Sequence, residues 1–241
     1  MSWILSKGVV LVATLNREYY LKAIFCANTI QEYLPDAKIT LFTNADYHDE
    51  SHNNLFENVI TECPNEYRTK LWAMANSPYD LTLYMDCDMA VVNDQFSEVF
   101  DLIGNNDMLW TRITKEQEYA YNHKHGNNRV FPGGEFKLHG GICLYKSSAK
   151  KFMSDWYKLD KKIRDKKWWP DLELYPIRFR AWDQFSLWWL TNKEWNKYKL
   201  KYDFFPNDIL WNWLPLYQKA KHINEEDEII IYHYSKTISV A

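Results

Sequence analysis

The first apolar segment of the chain, Val9-Val10-Leu11-Val12-Ala13-Thr14-Leu15, shows no alternation of hydrophobic and polar positions. A β-branched run without alternation is what a strand buried on both faces requires, so a central parallel strand is expected here. From Arg17 to Leu34 the period changes. Leu21, Ile24, Phe25 and Ile30 recur at helical spacing, and Pro35 supplies the stop. Lys38-Ile39-Thr40-Leu41-Phe42-Thr43 reads as a second strand. Strand, helix and strand in so short a span make a βαβ unit, whose crossover is right-handed.

The alternation of elements continues. A helix is expected near Tyr67 to Asn76, and a strand at Leu81-Thr82-Leu83-Tyr84-Met85. Further strands are expected at Asp107 to Thr111, Gly141 to Lys146 and Glu228 to Tyr234, and helices over Ser147 to Ile163 and Asp183 to Trp195. No internal repeat or low-complexity linker divides the chain, so residues 1–241 are taken as a single α/β domain. Its mostly parallel sheet should bind ligands outside the carboxyl ends of its strands.

Composition narrows the function. With 46% hydrophobic and 25% charged residues the chain has material for a core, and its net charge of −3 argues against nucleic acid as a partner. No stretch approaches the length of a membrane span, and Met1 to Lys7 is too short and polar for a secretory signal. Cys26, Cys63, Cys87 and Cys143 are widely spaced and read as reduced thiols, so a cytoplasmic location is expected. Aromatic residues reach 17%, and nine of the 12 tryptophans lie at or after Trp156. Such density serves core packing, a sugar-stacking platform, or both.

The candidate chemistry starts at Asp86-Cys87-Asp88, directly after the apolar run Leu81 to Met85. Carboxylates two residues apart in extended chain point the same way, which suits a divalent cation gripping a diphosphate. A turn residue plus a lysine-paired carboxylate is the structural alternative. Four of the seven glycines crowd into Gly133, Gly134, Gly140 and Gly141. The first pair reads as a turn; the second, after His139 and before a strand, is open between a β-bulge and bare backbone against a ligand. His233 in the apolar run Ile229 to Tyr234 is, on spacing alone, more simply a hydrogen-bonded core histidine. Asp183 most simply caps its helix, and Gln184 would by default face solvent. The Lys- and Arg-rich stretch Lys146 to Lys167 reads as a solvated helix face with an apolar underside, a membrane-surface helix being the alternative.

Taken in order, these segments resemble the GT-A glycosyltransferases, and among them the glycogenin-like family 8. Leu83-Tyr84-Met85-Asp86-Cys87-Asp88 is similar to that family's strand-ending DxD, and Thr69-Lys70-Leu71 to a Thr-Lys-Leu segment before it. His139-Gly140-Gly141 stands where the family has Asn-Ser-Gly, Asp183-Gln184 where it has Asp-Gln, and Ile231-Tyr232-His233-Tyr234 where it has a late His-bearing strand. Each motif is weak alone; five in order are much stronger. The resemblance implies that Asp86, Asp88 and His233 ligate a divalent metal, manganese or alternatively magnesium, that bridges the diphosphate of a UDP-sugar. It implies donor contacts from Thr14, Asn16, Lys70, Cys87, His139, Gly140 and Gly141, with Tyr19, or its neighbour Tyr20, stacking on uracil. Asp183, Gln184 and Lys70 would act at the reacting centre, and Lys236 would reach the diphosphate. Family members run from the histidine through glycine to Lys-Pro, whereas here Tyr234-Ser235-Lys236 follows without proline.

The expected activity is therefore metal-dependent, retaining transfer of a sugar from a UDP-sugar to the hydroxyl of a carbohydrate or glycoconjugate. The tryptophan-rich part would form the acceptor side. Two competitors are a phosphohydrolase of the haloacid dehalogenase type with Asp86 as nucleophile, and a non-catalytic carbohydrate-binding protein. The former normally carries its aspartates at the opening of the domain, yet 85 residues precede Asp86. The latter leaves the acidic pair unexplained.

Overall fold

Alternation is absent from the first apolar run because both faces of β1 (Lys7–Ala13) are covered: Val9, Leu11 and Ala13 join one hydrophobic cluster, and Val10 joins another. The computed structural model describes residues 5–112, 138–165, 183–214 and 228–234. In it β1 lies between two parallel neighbours, β2 (Ile39–Thr43) and β4 (Leu81–Met85), and β3 (Asn58–Ile60) adds in parallel beyond β2. On the other side follow β7 (Leu138–Lys146), β6 (Met108–Arg112) and β8 (Tyr202–Phe204), giving the order β3-β2-β1-β4-β7-β6-β8. β7 alone is reversed: it is antiparallel to β4 and β6, and β8 is again parallel to β6. The sheet is thus mostly parallel, as expected. A separate two-stranded ribbon pairs β5 (Met89–Val91) with β9 (Ile231–His233).

Helices cover both faces. α1 (Arg17–Tyr33) packs Tyr20, Ala23, Cys26, Ala27 and Ile30 on the face made by Val9, Leu11, Leu83 and Ile142. α2 (Thr69–Ala75), α3 (Lys150–Arg164) and α4 (Asp183–Lys193) cover the opposite face, where Val10, Tyr84, Cys143 and Tyr145 point. Alternate residues of each central strand therefore serve different clusters. Each fully buried Val or Leu contributes roughly 1.5–3 kcal/mol, about the size of the roughly 1–2 kcal/mol that ordering its backbone costs.

One expectation about a helix is corrected. The buried stripe of α1 is offset by about one residue from the predicted one: Leu21 is exposed and Ile24 and Phe25 are half-buried, because the small side chains Ala23, Cys26 and Ala27 let the helix settle close to the sheet. In α3 the expected solvated face over an apolar underside is what forms. Phe152, Met153, Trp156 and Ile163 are buried in the core, leaving Lys151, Lys158 and Lys162 outward and no apolar face for a membrane surface. Among the described residues, no helix is long and apolar enough to cross a membrane.

The tryptophans also divide. Trp156, Trp188, Trp211 and Trp213 are buried core residues and offer no face to a sugar. Trp189 and Trp195 are half-buried, and Trp168, Trp169 and Trp182 lie outside the described residues.

Candidate functional site

The carboxyl ends of β1 and β4, with the start of α2, enclose a cleft of about 240 Å³. It is lined by Thr14, Leu15 and Tyr19 after β1, by Tyr67, Arg68 and Lys70 around the start of α2, and by Tyr84, Asp86, Cys87 and Asp88. This is the end of an α/β sheet where ligands bind.

Asp86 continues the line of β4 for one more residue, since its N–H donates to Gly141 O at 2.8 Å. Tyr84 and Asp86 thereby share a face, and the Tyr84 hydroxyl donates to Asp86 Oδ1. The chain then enters β5, which pairs with β9 so that Met89 lies opposite His233; Tyr234 N donates to Asp88 O at 2.8 Å. The ribbon thus carries a histidine from near the chain's end to the acidic pair. Ligand atoms of Asp86, Asp88 and His233 all lie within 4.8 Å of one another, and His233 Nε2 is 3.3 Å from Asp88 Oδ1. Burial, reinforced by Asp88 and opposed by Lys70, raises the Asp86 carboxyl, whereas His233 holds Asp88 below its ordinary range against the effect of burial. Two carboxylates and one imidazole converging in a half-buried site are a donor set that fits a divalent cation. His233 is buried and hydrogen-bonded, as a core histidine is, and its other nitrogen faces the acidic pair.

Lys70 joins this cluster to a second. Its Nζ lies 3.1 Å from Asp86 Oδ1 and 2.9 Å from Asp183 Oδ2, and it donates to Gly140 O at 3.2 Å. Burial disfavours the ammonium, but Asp183 and then Asp86 more than compensate, so it stays charged. Asp183 opens α4, and Arg68 Nη2 approaches its other oxygen at 3.5 Å. Burial alone would raise the Asp183 carboxyl; Lys70 and Arg68 outweigh it and hold it down at about 2. The Asp183 carboxylate is thus committed to two cations at the cleft. Gln184 does not face solvent: in the amide orientation that satisfies both ends, its oxygen accepts from Gly140 N at 2.7 Å and its nitrogen donates to Leu138 O at 2.9 Å.

The glycine pair forms a bulge. Pairing of β6 with β7 passes from Trp110–Cys143 directly to Thr111–His139, so Gly140, Gly141 and Ile142 are the extra residues. A Cβ on Gly141 would lie 2.8 Å from His139 Cε1 and 3.1 Å from Asp86 Oδ2, and one on Gly140 would lie 3.2 Å from the Trp156 ring. Glycine is needed here for close approach to the site's own side chains. His139 is buried, its Nδ1 accepting from Gly141 N at 3.0 Å. Burial, reinforced by the Lys70 charge, pushes it down to about 3, so it stays neutral.

At the other end of the cleft Leu15 adopts φ 78°, rare for a residue with a branched side chain. Its backbone is held by Asn44 Oδ1, which accepts from Leu15 N at 3.4 Å, and by Tyr47, whose hydroxyl donates to Leu15 O at 2.9 Å. Asn16 is occupied as the N-cap of α1, accepting from Tyr19 N at 3.0 Å. Tyr19 lines the cleft with Lys22 Nζ 5.5 Å from its ring centroid, whereas Tyr20 is buried with its hydroxyl on the Asp49 backbone. Tyr19, not Tyr20, is therefore placed to meet a ligand. Lys236, Gly133 and Gly134 lie outside the described residues.

Tyr67, Arg68 and Tyr84 are site residues that sequence reasoning misses. Tyr84 carries a signal, since it stands two residues before Asp86 on the same strand face. Arg68 and Tyr67 carry none beyond adjacency to Thr69-Lys70.

No family model matches the sequence, and comparison with curated proteins finds no match. Solved structures do match. The glycosyltransferase GlyE of Streptococcus pneumoniae TIGR4 is 15% identical with a TM-score of 0.59, over 95% of this chain and 55% of that one. The galactosyltransferase LgtC, solved with donor and acceptor sugar analogs, is 15% identical with a TM-score of 0.56, over 95% and 87%. Mouse xyloside xylosyltransferase 1 is 12% identical with a TM-score of 0.52, over 95% and 97%. The chain thus spans little more than half of GlyE but most of the other two. At these identities the likeness establishes the fold, which is of the GT-A type.

Proposed function

We propose that the protein is a glycosyltransferase that moves a sugar from a UDP-sugar to an acceptor hydroxyl, with a divalent cation held by Asp86, Asp88 and His233. The observation that carries this reading is the convergence of those three side chains at the end of β4, in a sheet whose solved neighbours are glycosyltransferases. Mixed carboxylate and imidazole ligation favours manganese over magnesium. When bound, such a cation neutralises charge on the nucleotide diphosphate and on the leaving group.

The remaining roles fall to the chain's own groups. Tyr19 stacks on the uracil, with Thr14 and the strained Leu15 backbone along its edge. Lys70 and, in the same reading, Lys236 add positive potential where the diphosphate departs. Asp183 and Gln184 flank the reacting carbon, which passes through an oxocarbenium-like state. The acceptor is a carbohydrate or glycoconjugate. Inversion needs a carboxylate base beside the acceptor hydroxyl. Asp183, held at about 2 by Lys70 and Arg68, is a weak base, and the other described cleft carboxylates are the two cation ligands. This supports retention of the donor's anomeric configuration. The phosphohydrolase reading fits poorly, because Asp86 follows β4 and not the opening strand.

Calorimetric titration with manganese present tests the donor half. UDP should bind more tightly than GDP or ADP; the reverse order would rule out the uracil reading. NMR of the new linkage reads the anomeric outcome, and an inverted centre would make Asp183 a base despite its ion pairs.

A further inference from the structure

Asn212 ends the short turn Leu210–Asn212 and is 2% exposed, enclosed between β6 and β9. Its Oδ1 lies 2.8 Å from His233 Nδ1. A carboxamide oxygen only accepts, so Nδ1 is the ring nitrogen that carries the proton. The other end of the amide meets Thr111, whose Oγ1 accepts from Asn212 Nδ2 at 3.3 Å. The turn is also bound to the strand through its backbone: Ile230 N donates to Leu210 O at 2.9 Å and His233 N to Trp213 O at 2.7 Å. On its other side the His233 ring meets the His139 ring edge-on, with centroids 5.9 Å apart. The imidazole is therefore fixed in both position and orientation.

A reversed amide would present Nδ2 to the ring, require an unprotonated Nδ1 and move the proton to Nε2. That nitrogen faces Asp88 Oδ1 at 3.3 Å and would donate to it, which removes the lone pair a cation needs. Resting on the reading that Asp86, Asp88 and His233 hold a divalent cation, we propose that Asn212, aligned by Thr111, is a positioning residue that keeps the His233 Nε2 lone pair directed at that cation. A merely structural Asn–His contact would contribute to stability alone; a positioning residue also decides the ring's tautomer and its affinity for metal.

Nitrogen-15 spectra of the imidazoles in the metal-free protein test the first half directly. His233 should carry a proton at Nδ1, whether or not Nε2 also holds one against Asp88 in the metal-free protein, and an unprotonated Nδ1 would overturn the proposal. Manganese titration, read by the electron paramagnetic resonance of free ion, tests the second. Asn212→Leu should weaken manganese binding about tenfold or more, whereas Asn212→Asp, which keeps an acceptor oxygen, should stay close to the parent. Unchanged affinity in a folded Asn212→Leu protein would overturn the proposal. Should that variant fail to fold, Thr111→Val supplies the affinity comparison: a weaker loss supports alignment through Thr111, and none contradicts it. A parent protein that binds no manganese overturns the cation reading instead, and the imidazole spectrum then decides Asn212's hold on the tautomer by itself.

Discussion

The Lys70 ammonium lies 2.9 Å from Asp183 Oδ2, tying the first turn of α2 to the first turn of α4. Both side chains are largely buried, and removal of one partner leaves the other charge poorly solvated. Lys70→Met should cost about 3 kcal/mol of stability, the lower end for a broken buried pair because Arg68 still approaches Asp183. Urea unfolding at pH 7 measures it. A loss under about 1 kcal/mol would mean that the pair behaves as a screened surface contact.

Acid stability follows from the same pair. The Asp183 carboxyl, near 3.9 in the unfolded chain, is held at about 2 when folded. A depressed carboxylate contributes stability that is fully present above the unfolded value and is lost as pH falls through the folded one. The parent should therefore lose about 2 kcal/mol between roughly pH 4 and pH 2 that Asp183→Asn does not lose. Parallel slopes for the two proteins in denaturant titrations over that window would contradict the assignment.

Much of this arrangement is legible in the amino-acid sequence. β1, β2 and β4 stand out as apolar runs because helices cover both faces, and Asp86 and Asp88 stand out because an acidic pair at the end of such a run is costly without a partner. β3, β5 and β8 leave no such mark: each has three residues, too few for a period, and each forms because a neighbouring strand accepts it. The apolar pattern predicts β7 only from Gly141 onward, although the strand begins at Leu138, because His139 and Gly140 weaken the pattern while still pairing around a bulge. Asn212 carries no local signal, since its importance arises from contacts with Thr111 and His233 far away in the chain. His233 can be connected to Asp88 only through motif order, because the β5–β9 pairing that joins them leaves no trace in spacing.

The bulge gives a steric prediction. Gly141→Ala would set a methyl 2.8 Å from His139 Cε1 and 3.1 Å from Asp86 Oδ2, distances that require movement of both side chains. Overpacking of this kind costs about 1–3 kcal/mol. Here it should also displace a proposed cation ligand, so manganese affinity should fall along with thermal stability. In Gly140→Ala the crowded atoms belong to Gln184 and Trp156, and stability should fall while manganese affinity is largely kept. Equal loss of affinity in both variants would show that the effect is general and not directed at Asp86.

In the proposed reading Asp86, Asp88 and His233 hold one cation through which a nucleotide-sugar is bound. Calorimetric titration of manganese and of UDP-sugar into the parent and the Asp88→Asn protein tests it most directly. The two affinities should fall together, with His233→Ala following more mildly, because the metal carries much of the attraction for the diphosphate. Transfer should drop several hundredfold, about 3 to 4 kcal/mol of lost transition-state stabilisation. An Asp88→Asn protein that binds manganese and UDP-sugar as tightly as the parent would contradict the account.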